Sequence, residues 1–158
     1  MSIGLGWSTA ADSEETDAAH AINFVKLGYG DAISNSNFRS LEFLTDCLST
    51  ASIAPAIEQV LDYNAFEGPA VAKAVRQLRG EVSCVQFGRM GSPLLVLRYP
   101  YWTHQKEGAD SQVKGTRISE SQFEEQLRSL KQIFVHELQA DEFEVRKKCG
   151  REIHVWWN

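Results

Sequence analysis

The sequence predicts one α+β domain, in which a helical first half precedes a β-hairpin, a long amphipathic helix and a second β-hairpin. Two observations carry this prediction. Apolar residues recur at helical spacing through residues 1–80, whereas residues 81–158 combine strand-like runs with one long helical stripe. A chain of 158 residues suits a single domain with its own core. The simplest assembly is a mainly antiparallel four-stranded sheet with helices packed on it.

Proline, glycine and capping residues set the bounds of the helices predicted in the first half. Asp12 or Ser13 is the N-cap of the first helix, and Gly28 stops it. Pro55 is expected in the first turn of the third helix, where a missing N–H costs little. The four predicted helices cover residues 13–26, residues 37–48, a segment that follows residue 52 and ends near 64, and residues 69–79.

A first β-hairpin is predicted in the second half. Its strands are residues 81–87 and 94–102, both rich in β-branched, leucine and aromatic residues, and residues 88–93 form the connecting loop. Pro100 marks an edge strand or a strand end, because proline has no N–H to donate to a neighbouring strand. Residues 104–118 are polar and lack periodicity, which is typical of a long surface loop.

The strongest helical pattern lies at residues 119–138. A capping box formed by Ser119 and Gln122, or by Ser121 and Glu124, is expected to start this helix. Its apolar residues recur every three or four positions and form one stripe, as in a helix that packs on a sheet. The stripe consists of Phe123, Leu127, Leu130, Phe134 and Leu138.

The second predicted hairpin alternates apolar and polar residues. Phe143 and Val145 lie in its first strand, and the second strand continues to Trp157. Because successive side chains of a strand point to opposite sides of a sheet, Trp156 and His154 should share one side while Trp157 is buried on the other. We expect Trp156 to be exposed. The alternative is that the helical first half covers this second side and buries it.

Composition and charge argue against nucleic-acid and membrane partners. The net charge is −5, and no basic surface of the kind that binds phosphate backbones is expected. The longest apolar run, residues 93–97, is far shorter than the ~20 residues of a membrane-spanning helix. The first residues lack the basic and apolar regions of a secretory signal, so we expect a cytoplasmic protein.

Three cysteines are present, at positions 47, 84 and 149. Their odd number and wide spacing predict reduced thiols rather than a disulfide framework. Cys47 and Cys84 are interpreted as small apolar residues of a helix and a strand. Cys149, beside Lys148 and Arg151, is the one cysteine whose basic neighbours favour the thiolate, and the sequence leaves its reactivity open.

No catalytic, metal or cofactor site is predicted. The glycine pairs at residues 4–6 and 28–30 lack the third glycine and the lysine of phosphate-binding loops. The four histidines are not paired at a spacing typical of metal ligands. No Gly-x-Ser-x-Gly segment presents a nucleophilic serine. An enzyme is therefore the less favoured interpretation.

An aromatic patch at the ends of the two hairpins is the leading candidate for a binding site. It comprises Trp156, His154, Trp102 and Tyr101, and amphipathic rings of this kind are enriched at protein interfaces. We expect a non-enzymatic module that binds another protein, such as an adaptor, an inhibitor or an immunity-type protein. The acidic residues within 12–17 favour a basic partner.

A small-molecule-binding protein or an enzyme is the alternative function. Its pocket would lie between the sheet and the helical half under the 104–118 loop, with Arg98, His104 and Tyr101 supplying polar groups. The sequence also leaves open homodimerisation through an exposed hairpin edge, because edge strands readily pair.

Overall fold

The computed structural model describes residues 10–30, 33, 42–61, 63–99, 119–146 and 151–158, and this part of the chain has the predicted α+β class. Its helices are α1 (Ala10–Gly28), α2 (Thr50–Ile57), α3 (Gly68–Gln77) and α4 (Glu120–Lys131). Helix α4 continues directly into a π-helical segment, Gln132–Glu137. The strands are β1 (Phe43–Leu44), β2 (Cys84–Met90), β3 (Ser92–Tyr99), β4 (Glu142–Arg146) and β5 (Arg151–Trp156).

The strands form one antiparallel sheet in the order β1-β2-β3-β5-β4. Both predicted hairpins are confirmed, as β2–β3 and β4–β5. In the described part of the chain the sheet has five strands rather than the predicted four, because β1 pairs with β2 at its outer edge. The two hairpins join through the pairing of β3 with β5.

Strand β1 replaces part of the second predicted helix. Phe43 and Leu44 pair with β2, so the helix prediction is wrong for them, and residues 34–41 lie outside the described part. The Phe43 ring meets the Tyr29 ring edge-on at 5.7 Å. A Cβ atom at Gly88 would lie 2.0 Å from the carbonyl oxygen of residue 43, so only glycine admits this close approach. Long-range pairing thus overrides the local helical spacing.

The turn of the first hairpin is tighter than predicted. Met90 pairs with Ser92 across Gly91, whose φ of 81° is a left-handed conformation that favours glycine. The prediction of a loop over residues 88–93 is therefore wrong. Strand β3 lies inside the sheet, so the edge-strand interpretation of Pro100, just beyond the described strand, is wrong as well. The strand-end alternative stays a prediction, because Pro100 lies outside the described residues.

Capping residues determine where two of the helices begin. Ser119 and Gln122 form the predicted capping box of α4. At α2 the cap is Ser49, whose side chain accepts a 3.1 Å hydrogen bond from the Ser52 N–H. Helix α2 therefore begins earlier than predicted, and Pro55 lies inside it rather than in its first turn. The helix ends soon after this proline, as expected where a backbone donor is missing.

Aromatic rings pack on one face of the sheet and form the core. Tyr29, directly after α1, stacks on Phe87 at 5.5 Å, and Phe66 contacts both Phe87 and Trp157. Phe134, in the π-helical segment, also contacts Trp157. Helices of both halves therefore share this face, and the described helices of the first half do not cover the opposite face as the alternative expected. The sheet residues of the core face are Val85, Phe87, Leu95, Leu97, Tyr99, Ile153, Val155 and Trp157.

The opposite face of the sheet, called the open face below, receives no ring from the described helices. Its residues alternate with those of the core face along β2, β3 and β5. Leu94 and Val96 are buried on it, whereas the polar and aromatic side chains around them are half-buried. The open face comprises Gln86, Leu94, Val96, Arg98, Glu152, His154 and Trp156.

A disulfide joins Cys47 to Cys84, whose Cα atoms lie 5.3 Å apart. The prediction of reduced thiols is wrong for this pair. Leu48 forms a β-bridge with Val85, and this pairing brings together two cysteines that are 37 residues apart in the sequence. Because such bonds persist in oxidising compartments, the cysteine argument for a cytoplasmic protein no longer holds. Cys149 lies outside the described residues.

Replacing Trp157 by Ala is expected to lower the free energy of unfolding by about 3–5 kcal/mol, the usual loss for a large buried ring. The side chain is fully buried, and its indole N–H donates a 2.8 Å hydrogen bond to the Leu138 carbonyl oxygen. Trp156→Ala is the matched control, since it removes the same side chain from a half-buried site. Urea denaturation measures the free energy of unfolding of both variants and of the wild type. Equal losses would contradict the assignment of the two faces.

Reduction of the disulfide is expected to lower the free energy of unfolding by about 4 kcal/mol, the loop-closure entropy for a separation of 37 residues. Thermal unfolding with and without a reductant measures the change, and a Cys47→Ser, Cys84→Ser protein should reproduce it. Alkylation before and after reduction, followed by mass spectrometry, checks that the bond is present. Identical alkylation of the two samples would show that it does not form.

Candidate functional site

Strand pairing arranges the side chains of the open face in rows. Glu152, His154 and Trp156 point to this face because they occupy alternate positions of β5. Strand β3 places Arg98 opposite Glu152 and Leu94 opposite Trp156. The row at the start of β5 is therefore charged, whereas the row at its end holds Leu94 and Trp156 beside the exposed Glu142 of β4.

Hydrogen bonds and ion pairs link four side chains of the open face to one another and to the segment that directly follows β1. The Arg98 guanidinium donates to Gln86 Oε1 from Nη2 at 2.9 Å and from Nε at 3.2 Å, and it forms an ion pair with Glu152. The other Glu152 oxygen lies 3.0 Å from His154 Nε2. The Gln86 amide donates a 2.9 Å bond to the Thr45 carbonyl oxygen. Because these side chains are already ordered, binding would cost them little further entropy.

Two carboxyl groups at this surface ionise more readily than usual. The hydrogen bond with His154 is the main cause of the lowered pKa of the Glu152 carboxyl, and the charge of Arg98 adds to it. The pKa of the Glu144 carboxyl, on β4, is lowered chiefly by its 2.9 Å hydrogen bond with Arg146. Both carboxyls therefore keep their negative charge to a lower pH than an ordinary glutamate does, and the surface presents charges of both signs.

His154 and Trp156 adjoin on the open face, with ring centroids 5.7 Å apart and ring planes tilted by 45°. An ionised Glu152 can only accept a hydrogen bond, so His154 Nε2 carries the proton and donates to it. The other ring nitrogen, Nδ1, is buried and has no hydrogen-bond partner among the described residues. The pair thus places a half-buried indole beside a polar ring that Glu152 holds in position.

Half of the site residues predicted from the sequence lie on the open face. His154 and Trp156 are adjacent, but Trp156 is half-buried rather than exposed. Arg98, which the sequence assigned to an alternative pocket, belongs to the same network as His154. That pocket stays a prediction, because the loop at residues 104–118 lies outside the described residues. The other predicted site residues also lie outside them: Tyr101, Trp102 and His104.

Glu152 and Gln86 complete the network, although the sequence analysis did not select them. The position of Glu152, two residues before His154 in a strand, was a sufficient signal, since alternate residues share a face. Gln86 could not be found in this way. Its place diagonal to Arg98 depends on the register between β2 and β3, which no local pattern reveals.

A metal site, a membrane span or a likeness to known proteins would each be a further indication of function. The described residues contain no group of three or more His, Cys, Asp or Glu side chains placed to hold a metal ion. None of the helices in the described ranges is both long and apolar enough to cross a membrane. Comparison with models of protein families, with curated proteins and with solved structures finds no match to this chain.

The free energy of unfolding is expected to fall as the pH drops through the lowered pKa of Glu152. The folded-state pKa lies below the unfolded one, so the bonds of Glu152 stabilise the fold above the ordinary glutamate range, and protonation at lower pH removes this stabilisation. Urea denaturation between about pH 7 and pH 3 measures the profile. Glu152→Gln should flatten it, whereas the exposed Glu142→Gln is the control. A Glu152→Gln profile parallel to that of the wild type would contradict this role.

Proposed function

We propose that this protein binds another protein through the open face. The observation that carries the proposal is the contact of a half-buried tryptophan, Trp156, with His154, whose other side is held by Glu152 and Arg98. Tryptophan and arginine are among the residues most enriched at the energetic centres of interfaces. Side chains that are ordered before binding also lower its entropic cost.

The open face has apolar side chains at one end and charged side chains at the other, and this difference supports a defined orientation of the partner. At one end Leu44, Leu94 and Trp156 belong to the same row across the sheet, and Leu44 is 40% exposed. At the other end Arg98 and Glu152 form the charged row. A partner with apolar side chains over the first row and polar side chains over the second would satisfy both.

A basic partner is part of this proposal. Glu15 and Asp17 of α1 are exposed, and so are Glu142 and Glu144 of β4. The chain carries a net charge of −5. Long-range attraction of this sign steers a positively charged protein towards the surface and raises the association rate.

Trp156→Ala is expected to weaken binding of the partner by about 30-fold or more, the loss typical of an interface hot spot. Leu61→Ala is the control, because Leu61 is a large apolar side chain, 59% exposed, that lies outside the open face. Partners are captured from the native cells with tagged wild-type protein, and the affinity of each purified partner is measured by calorimetry. Circular dichroism verifies that the variants fold.

His154→Ala provides a second test at the same surface. It removes the ring that adjoins Trp156 and the hydrogen bond to Glu152, so it should weaken binding as well. The proposal is overturned if every captured partner binds the folded Trp156→Ala and His154→Ala proteins as tightly as the wild type. It is also overturned if Leu61→Ala causes the same loss.

A further inference from the structure

Strand β4 is an outer strand of the sheet, and one of its two edges is unpaired in the described part of the chain. It pairs with β5 along Glu142–Arg146, and its backbone forms no hydrogen bond with any other described element. The free N–H and C=O groups of such an edge are a template for a further strand. The other outer strand, β1, has only two residues and offers a much shorter edge. The sheet is therefore best extended at β4.

A row of alternating charges on the open face ends at this edge. Arg98 of β3 lies opposite Glu152 of β5, and Glu152 lies opposite Arg146 of β4. The signs along the row are thus positive, negative and positive. The Nη2 atom of Arg146 donates a 2.9 Å hydrogen bond to Glu144, the next residue of β4 on the same face. The Arg146 side chain is 47% exposed and that of Glu144 is 52% exposed, so both charges are accessible at the edge.

An apolar row on the core face ends at the same edge. Leu97 of β3 and Ile153 of β5 lie opposite each other, and both are fully buried. Val145 of β4 lies opposite Ile153 and is only half-buried at the end of the row. Removing its remaining apolar surface from water is favourable. A strand added here would therefore gain most from an apolar residue beside Val145 and a negative residue beside Arg146.

We propose that β4 pairs antiparallel with β4 of a second copy of this chain, around a two-fold axis at Val145. In this register Val145 lies opposite Val145 of the second copy, which continues the apolar row. Arg146 of each copy lies opposite Glu144 of the other, which continues the alternation of charge. The two arginines and two glutamates alternate in sign along and across the paired strands, and opposite charges in facing positions stabilise a sheet.

The other registers of the same pair are less favourable. An axis at Glu142, Glu144 or Arg146 sets that charged residue opposite itself. An axis at Phe143 sets Glu142 opposite Glu144 in two places. Like charges in directly facing positions destabilise a sheet. Among the described residues of β4, the axis at Val145 is thus the one that brings no like charges together, and it selects a single register.

Pairing with a second copy closes the edge, because β4 then has a neighbouring strand on both sides. The two sheets join edge to edge, so the open face and the interface proposed on it stay uncovered. An extended segment of another protein is the alternative occupant of such an edge. The order of Glu144, Val145 and Arg146 favours a second copy, since two identical strands meet here without a like-charge pair.

Sedimentation equilibrium of the full chain between about 10 µM and about 1 mM measures its self-association. The wild type is expected to dimerise with a Kd below about 1 mM. Glu144→Arg and Arg146→Glu should each weaken this association about tenfold or more, because each variant sets two pairs of like charges opposite one another. Glu15→Arg is the matched control, since it makes the same change of charge at an exposed residue of α1, a helix that packs on α2 and β2.

A mixture of the two variants tests the register itself. When Glu144→Arg meets Arg146→Glu, an arginine lies opposite a glutamate at both charged pairs, as in the wild type. Fluorescently labelled Arg146→Glu protein should therefore bind unlabelled Glu144→Arg protein about threefold or more tightly than it binds Glu15→Arg protein, with which one pair of like charges remains. The two titrants have the same net charge, so long-range attraction does not distinguish them.

Four outcomes would overturn the inference. They are a wild type that is monomeric up to about 1 mM, self-association of Glu144→Arg or Arg146→Glu as tight as that of the wild type, an equal loss in Glu15→Arg, and equal binding of the labelled protein to both titrants. A monomer that instead captures an extended segment of another protein at β4 would give the first of these and would favour the alternative occupant. Circular dichroism of each variant verifies that the fold is intact.

Discussion

Strands β3 and β5 pair near the middle of the sheet, and the register of this pair determines which of their side chains lie together on each face of the sheet. On the core face it sets Leu95 opposite Val155, beneath the helices. On the open face it sets Arg98 opposite Glu152. A slip of one residue would exchange the two faces, exposing the core and burying the charges. The burial of apolar side chains therefore selects the register, and the register assembles the polar network.

The neighbouring tryptophans at the C-terminal end of β5 lie on opposite faces of the sheet. Trp157 is enclosed between Phe66 and Phe134, whereas Trp156 adjoins His154 on the other side of the sheet. The described helices contribute their aromatic rings to the core face, whereas the interface proposed above lies on the open face.

The edge of the sheet supports the network from outside. Thr45 is buried, and its hydroxyl accepts a 3.1 Å hydrogen bond from the Phe87 N–H while its carbonyl oxygen accepts from Gln86. The disulfide between Cys47 and Cys84 ties the same segment to β2 covalently. The position of Gln86, and through it that of Arg98, thus depends on a segment whose sequence spacing resembles a helix.

The sequence by itself determined the features that depend on neighbours along the chain. Helix α4 and its capping box at Ser119, and the alternation that places His154 and Trp156 on one side of β5, follow from contacts two to four residues apart. Only the tertiary structure decided the pairing of β1, the disulfide, the face that the helices cover, and the union of Arg98 with Glu152. Each of these features joins segments that are distant in the sequence. Which segments come together depends on which surfaces bury the most apolar area against each other, and no local sequence pattern contains this information.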